Sequence, residues 1–227
     1  MSATFPEKES HGLHLWEDVN IDEDRHYWDD QAAAGIEAAR HAVWSEPDYE
    51  QGTVECVAAV VDGLGDVMRD PIMGEVIDIG CGIGRLLVPL AILFPRTHFI
   101  GIDISRPMLD HASSLLGREK VTNVALICGD VREVMFMDDL AGFYSVVTFQ
   151  HLATEMQHRY ISVLAQSLGS GGVGRFQWVS DADPGPRSNP VSEPVMTGWC
   201  ESAGLTVSAI DTGLVRQGWS WLTVVKP

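Results

Sequence analysis

Short apolar runs alternate with longer amphipathic stretches along most of this chain, a rhythm of strand followed by helix. Val76-Ile-Asp-Ile79, His98-Phe-Ile-Gly-Ile-Asp103, Val124-Ala-Leu-Ile-Cys128, Tyr144-Ser-Val-Val-Thr-Phe149 and Val173-Gly-Arg-Phe-Gln-Trp-Val179 have the length and composition of buried strands. Between them, Leu86–Leu93 is an apolar helical pattern. A second helix starts at Ser105 as N-cap, with Pro107 in its first turn and Met108, Leu109, Ala112 and Leu115 on one face. Leu205–Asp211 and Trp219–Val225 form a final strand pair. The alternation predicts an α/β fold: a doubly wound, Rossmann-like sheet of about seven strands, mostly parallel, with the last antiparallel.

Two helical stretches precede the first strand. One runs from Asp22 to about Trp44. The other runs from Pro47 to about Met68, with Val54, Val57, Ala58 and Val61 as its buried face. The organisation read from this is an N-terminal segment with lid helices over residues 1–70, packed on a core over 71–227. Residues 1–20 are polar and mixed. Asp181-Ala-Asp-Pro-Gly-Pro-Arg-Ser-Asn-Pro190 excludes regular structure and follows the fifth strand at the end where open α/β sheets bind ligands.

The segment with most chemical content is Val76-Ile-Asp-Ile-Gly-Cys-Gly-Ile-Gly-Arg85. A strand ends in Gly80, Gly82 and Gly84, and a helix follows. Glycine permits positive φ and close approach of a ligand to the main chain, and the helix start presents free N–H groups. A dinucleotide fingerprint would have glycine where Arg85 stands. Asp78 lies inside the strand, and a second strand ends in Asp103, 19 residues after Gly84.

The pattern Asp78-x-Gly80-x-Gly82-x-Gly84 resembles the first motif of class I S-adenosylmethionine (SAM)-dependent methyltransferases. The resemblance covers about residues 74–227. It implies SAM as cofactor, with its ribose hydroxyls on Asp103 and its adenine amino group on Asp130, beside the backbone N–H of Val131. Asp78 either orders the turn or meets the SAM amino group. Gln150-His151-Leu152 resembles a motif of the small-molecule and sugar branch of that superfamily. His151 is the candidate base, since a hydroxyl acceptor must lose a proton and imidazole titrates near neutrality. The alternative for His151 is packing or hydrogen bonding near the SAM carboxylate. Gln150 is read as a polar orienter facing the pocket or as a helix cap.

Composition narrows the acceptor. A formal net charge of −17 argues against nucleic acid, which needs clustered Lys and Arg, and against anionic lipid. No run of about 18 apolar residues predicts a membrane span, and the N-terminus lacks a basic-then-apolar signal pattern. Cys56, Cys81, Cys128 and Cys200 have no metal spacing and read as reduced, buried thiols of a cytoplasmic protein. His11, His14 and Glu17, and likewise Asp181 and Asp183, have spacing that would suit a metal, but a solvated segment is the simpler reading and no metal is expected.

The function read from the sequence is O-methylation of a sugar or other hydroxylated small molecule. The alternatives are N- or C-methylation, or a non-catalytic SAM-binding regulatory subunit. An NAD-linked oxidoreductase is disfavoured by the glycine spacing. Oligomeric state is not legible.

Overall fold

A computed structural model describes residues 21–41, 48–69, 74–134, 139–180 and 187–227. The strands are β1 (Val76–Ile79), β2 (Phe99–Asp103), β3 (Val124–Cys128), β4 (Leu140–Ser145), β5 (Leu168–Val179), β6 (Thr206–Thr212) and β7 (Trp219–Val225). The helices are α1 (Ile21–Ala33), α2 (Ile36–His41), α3 (Asp48–Arg69), α4 (Leu87–Leu93), α5 (Arg106–Glu119), α6 (Val131–Val134), α7 (Thr154–Ser167) and α8 (Glu193–Ser202). One seven-stranded sheet has the order β3-β2-β1-β4-β5-β7-β6. Only β7 runs antiparallel to its neighbours. The chain reverses its winding between β1 and β4, so the crevice at their C-terminal ends is the topological switch point, where such sheets hold ligands.

The sheet's two faces follow from the period of two within each strand. Ile77, Ile79, Ile100 and Ile102 pack with Phe143 and Phe176 under α7 and α8. Val76, Phe99 and Tyr144 pack on the opposite face under α3, α4 and α5. Phe149 and Phe176 stack at 4.7 Å on the first face. Gly101 of β2 is glycine by need: a Cβ there would meet Leu87 at 2.6 Å and Cys81 at 2.8 Å.

Several sequence expectations shift. Ser105 does cap α5, accepting the Met108 amide, but the helix buries Leu116 where Leu115 was expected, four residues after Ala112. On α3 the buried stripe is Cys56, Ala59, Val60, Leu64, Val67 and Met68, while Val54 is 64% exposed. Two apolar stripes run along that helix, and the better one faces the sheet. This places α3 among the layer helices, with Tyr49 at its start reaching the cavity, while α1 and α2 lie over the crevice as a cover. The first helical stretch is broken at Gly35, whose φ is +108°.

The expected strand 144–149 is displaced to 140–145. Its partner β1 ends at Ile79, and the Ser145 and Thr148 hydroxyls both donate to the Ile79 carbonyl, at 3.0 and 3.1 Å. Val147 takes a φ of +65°, and residues 149–151 form a single 3₁₀ turn. The chain therefore bends across the end of β1. Cys128 is exposed because β3 is an edge strand; the other three thiols are buried.

Candidate functional site

The three glycines of the turn have three different duties, and all have positive φ: +70° at Gly80, +52° at Gly82 and +82° at Gly84. A Cβ at Gly80 would strike Thr148 of the β4 bend, and one at Gly84 would crowd Ala112 of α5 at 3.3 Å. At Gly82 a Cβ would meet nothing within 4 Å. Gly82 faces open space and is among the residues that line a cavity at the end of β1. That cavity is lined by Asp78 to Gly82, by Ile104, Met108, Gly129 and Val131, and by Arg40, Tyr49 and Arg85.

Asp103 joins the turn to α5. Its Oδ2 accepts the Gly82 amide at 2.8 Å and its Oδ1 accepts the Ser105 amide at 2.9 Å. A carboxylate has about four lone-pair sites, so each oxygen keeps a free one. Burial pushes Asp103 up to about 6 despite those two amides. Asp78 is pushed up to about 8, first by burial, while the Tyr144 hydroxyl pulls it down and the Asp103 charge raises it further. Both acids line the cavity, and a cation held there would favour their charged forms.

Asp130 departs from expectation. It is fully buried, and its oxygens accept the Arg132 amide at 2.7 Å, the Arg132 guanidinium at 2.8 and 3.1 Å and the Tyr160 hydroxyl at 3.0 Å. It is absent from the cavity lining, and its four hydrogen bonds fill a carboxylate's capacity. Val131 does line the cavity, and its amide is directed to the Tyr160 oxygen.

His151 lines the cavity, and its ring meets Trp28 of α1 edge-on at 5.4 Å. Its Nδ1 is 3.0 Å from the Arg187 carbonyl and its Nε2 is 3.3 Å from the Gln150 amide nitrogen. Burial, the largest influence, holds His151 below the usual imidazole range. Gln150, read from sequence as a pocket-facing orienter or a helix cap, is 8% exposed and is absent from the cavity lining, with its amide nitrogen on His151.

The cover is tied down from two sides. Ser105 Oγ donates to Asp29 of α1 at 2.6 Å. Arg187 donates to Asp24 of α1 at 2.7 Å and stacks over Tyr27 at 4.2 Å. The sequence reading missed Arg40, Tyr49 and Arg85. Both guanidinium groups lie over the Tyr49 ring, at 5.2 and 6.0 Å. Only the Arg85 step beside the glycines was visible in sequence, and nothing there linked it to residues some 40 positions earlier.

His11, His14, Glu17, Asp181 and Asp183 lie outside the described residues. Among the described residues, no group of three His, Cys, Asp or Glu is arranged to hold a metal ion. No helix among them is long and apolar enough to cross a membrane.

Comparison with known proteins bears on the same segment. Residues 76–172 match the family model described as "Methyltransferase domain". The trans-aconitate 2-methyltransferase of Deinococcus radiodurans is 29% identical over 130 residues, 57% of this chain and 47% of that protein. The malonyl-[acyl-carrier protein] O-methyltransferase of Bacillus cereus is 30% identical over 99 residues, 44% of this chain and 35% of its own. A tRNA (guanine-N(7)-)-methyltransferase of Aspergillus terreus is 48% identical over 77 residues, 34% of this chain and 19% of its own. This chain thus spans less than half the length of these relatives. Among solved structures, magnesium protoporphyrin IX methyltransferase from Synechocystis PCC 6803 with bound SAH superposes with a TM-score of 0.72 at 17% identity, covering 92% of this chain and 100% of that one. The match to that family model covers residues 76–172, and the fold is the Rossmann-like fold seen in the solved methyltransferase.

Proposed function

We propose that this chain, built on the methyltransferase fold, transfers a methyl group from S-adenosylmethionine to a small-molecule acceptor. The observation that carries the proposal is the open cavity over Gly82, whose amide is held by Asp103 at the switch point of the sheet. A nucleoside fits this arrangement. The free lone pairs of Asp103 take the ribose hydroxyls, and Ile104, Met108 and Val131 sandwich the adenine. Asp130 serves the adenine end indirectly, by fixing Arg132 and Tyr160. Asp78, drawn into its charged form by a bound cation, pairs with the ammonium of the amino-acid tail.

SAM supplies an electrophilic methyl group on a sulfonium. The protein's part is to align the acceptor with it, and alignment supplies much of the rate in such displacements. For a hydroxyl acceptor, His151 takes the proton at Nε2 while the oxygen's electron pair forms the new bond to carbon and the sulfur keeps its own pair. O-methylation of a sugar or other hydroxylated metabolite is the reading that His151 supports. The excess of acidic residues speaks for an acceptor other than nucleic acid.

A second reading is an acceptor carboxylate. Arg40 and Arg85 both line the cavity and meet over the Tyr49 ring, in a chain whose net charge is −17. Guanidinium groups pair with carboxylates in bidentate fashion. Trans-aconitate and a malonyl thioester, named in two relatives, are carboxylates.

Calorimetry with SAM and its demethylated product tests the cofactor; no heat and no melting shift with either overturns the proposal. Incubation with methyl-labelled SAM and panels of polyols and carboxylates then tests the acceptor. A label that mild base releases is an ester and favours the second reading, whereas a base-stable label is an ether.

A further inference from the structure

We propose that Gln150 and Gln177 are positioning residues that fix which ring nitrogen of His151 carries its proton, leaving Nε2 as the accepting nitrogen. The role in catalysis rests on the methyl-transfer reading above; the geometry does not.

Four hydrogen bonds run in series from one backbone group to another. The Val147 N–H meets Gln177 Oε1 at 2.9 Å. The Gln177 amide nitrogen meets Gln150 Oε1 at 3.0 Å. The Gln150 amide nitrogen meets His151 Nε2 at 3.3 Å, and His151 Nδ1 meets the Arg187 carbonyl at 3.0 Å. The two ends have fixed polarity, because a backbone N–H only donates and a carbonyl only accepts. Val147 therefore requires oxygen on its side of Gln177, which turns the Gln177 NH₂ toward Gln150. Gln150 must then present its oxygen to Gln177 and its NH₂ to His151. Nε2 accepts, and Nδ1 carries the hydrogen that Arg187 receives. Both ends of the chain give the same tautomer.

The frame around this series is rigid. Gln177 is fully buried and Gln150 nearly so, so a flipped amide would leave buried polar atoms unpaired. Asn189 pins the backbone beside the histidine: its amide donates to the Gln150 carbonyl at 2.7 Å and its side chain to the His151 carbonyl at 3.3 Å. Gln157 holds the Leu152 and Asn189 carbonyls at 3.0 and 2.8 Å. Val147, a β-branched residue at positive φ, is held with its amide aimed at Gln177. Among the described residues, the charged side chains that act on the ring are Arg187, from the segment after β5, and Asp24, from α1; Trp28 of α1 offers only its ring.

The consequence is a neutral histidine with one available lone pair. An acceptor hydroxyl reaches that lone pair by displacing the Gln150 N–H, the longest contact of the four. Once Nε2 is protonated, two N–H groups face each other there, so the proton is passed on when the product leaves.

The test is long-range ¹H–¹⁵N spectroscopy of the full chain with labelled imidazoles, titrated in pH. The wild type is expected to show His151 as the Nδ1–H tautomer. In Gln177→Glu the carboxylate still accepts from Val147 but has no hydrogen for Gln150. The Gln150 amide then turns, its oxygen faces Nε2, and the proton moves to Nε2, with titration at a higher pH. Gln150→Glu, at a less buried position, produces the same reversal directly if the first variant does not fold. A wild-type Nε2–H tautomer, or folded variants with unchanged tautomer and titration, overturns the proposal. Neither cofactor nor acceptor is needed, so failure of methyl transfer and failure of this inference read separately.

Discussion

The Asp103 carboxylate accepts the Gly82 amide at 2.8 Å, so the end of β2 holds the centre of the glycine turn in place. With the Ser105 amide on its other oxygen, one side chain organises two segments of the cavity floor. Hydrogen bonds to a charged acceptor contribute about 1.5–3 kcal/mol each. Asp103→Ala should therefore weaken binding of the demethylated cofactor at least about tenfold, equivalent to about 1.4 kcal/mol. It should also lower the melting temperature of the cofactor-free protein. Calorimetry and a melting curve read the two effects separately. Unchanged affinity would remove Asp103 from the ribose.

Gly82 and Gly80 should respond differently to alanine. At Gly82 there is room for the methyl group but the backbone is left-handed, a strain of about 1–2 kcal/mol. Gly82→Ala should fold and lose cofactor binding, because the methyl group enters the cavity. Gly80→Ala should unfold at a markedly lower temperature, because Thr148 already fills that space. Cofactor titration of a folded Gly82→Ala decides it; wild-type affinity would place the ligand elsewhere.

Stability should fall with rising pH in the cofactor-free protein. Burial raises Asp78 to about 8 and Asp103 to about 6, both above their ordinary value of 3.8. Between those limits the folded state binds more protons than the unfolded chain, so stability is lost as pH rises through the window. Asp78→Asn should flatten the upper part of that slope, from about 6 to about 8. Scanning calorimetry of the two proteins across the range is the measurement, and parallel slopes would contradict the shift at Asp78.

The Arg187–Asp24 pair should hold the cover without stabilising the fold. Its side chains are 42% and 30% exposed, and such pairs contribute between about 0 and 1 kcal/mol. The Arg187 carbonyl that receives His151 Nδ1 is backbone and survives substitution. Arg187→Ala should leave the melting temperature nearly unchanged and speed amide exchange in α1. Equal exchange in α1 would show that the Arg187–Asp24 pair does not hold the cover.

His151→Ala should reduce turnover about 10²–10⁴-fold if the side chain is the base, while sparing cofactor affinity. Because burial lowers the histidine's titration, activity should persist to pH values below the ordinary imidazole range before it falls. Turnover against pH, measured with labelled SAM, checks both statements. Full activity of the variant at every pH would take the histidine out of the chemistry.

The strand and helix order, the glycine turn and the Asp103 position were legible in the sequence because each rests on local rules. A run such as Val124–Cys128 has the composition of a strand, and positive φ after a strand favours glycine. The choice between two apolar stripes on α3 was not legible, since periodicity alone does not say which one meets the sheet. The end of β4 was not legible either: Tyr144–Phe149 has the composition of a strand throughout, and only the termination of β1 at Ile79 bends it.

The site divides in the same way. The sequence by itself determined that a nucleotide-approach turn exists at Gly80–Gly84 and that a second strand ends in an acid at Asp103, because a strand, a glycine turn and a helix are local patterns. Only the tertiary structure decided how each polar group is used. Asp130 is spent on Arg132 and Tyr160, Gln150 faces His151 instead of the cavity, and Arg40 and Arg85 meet over Tyr49. The physical reason is that a side chain's hydrogen-bonding capacity is finite and is claimed by whichever partners the packing brings near, and those partners lie far away along the chain.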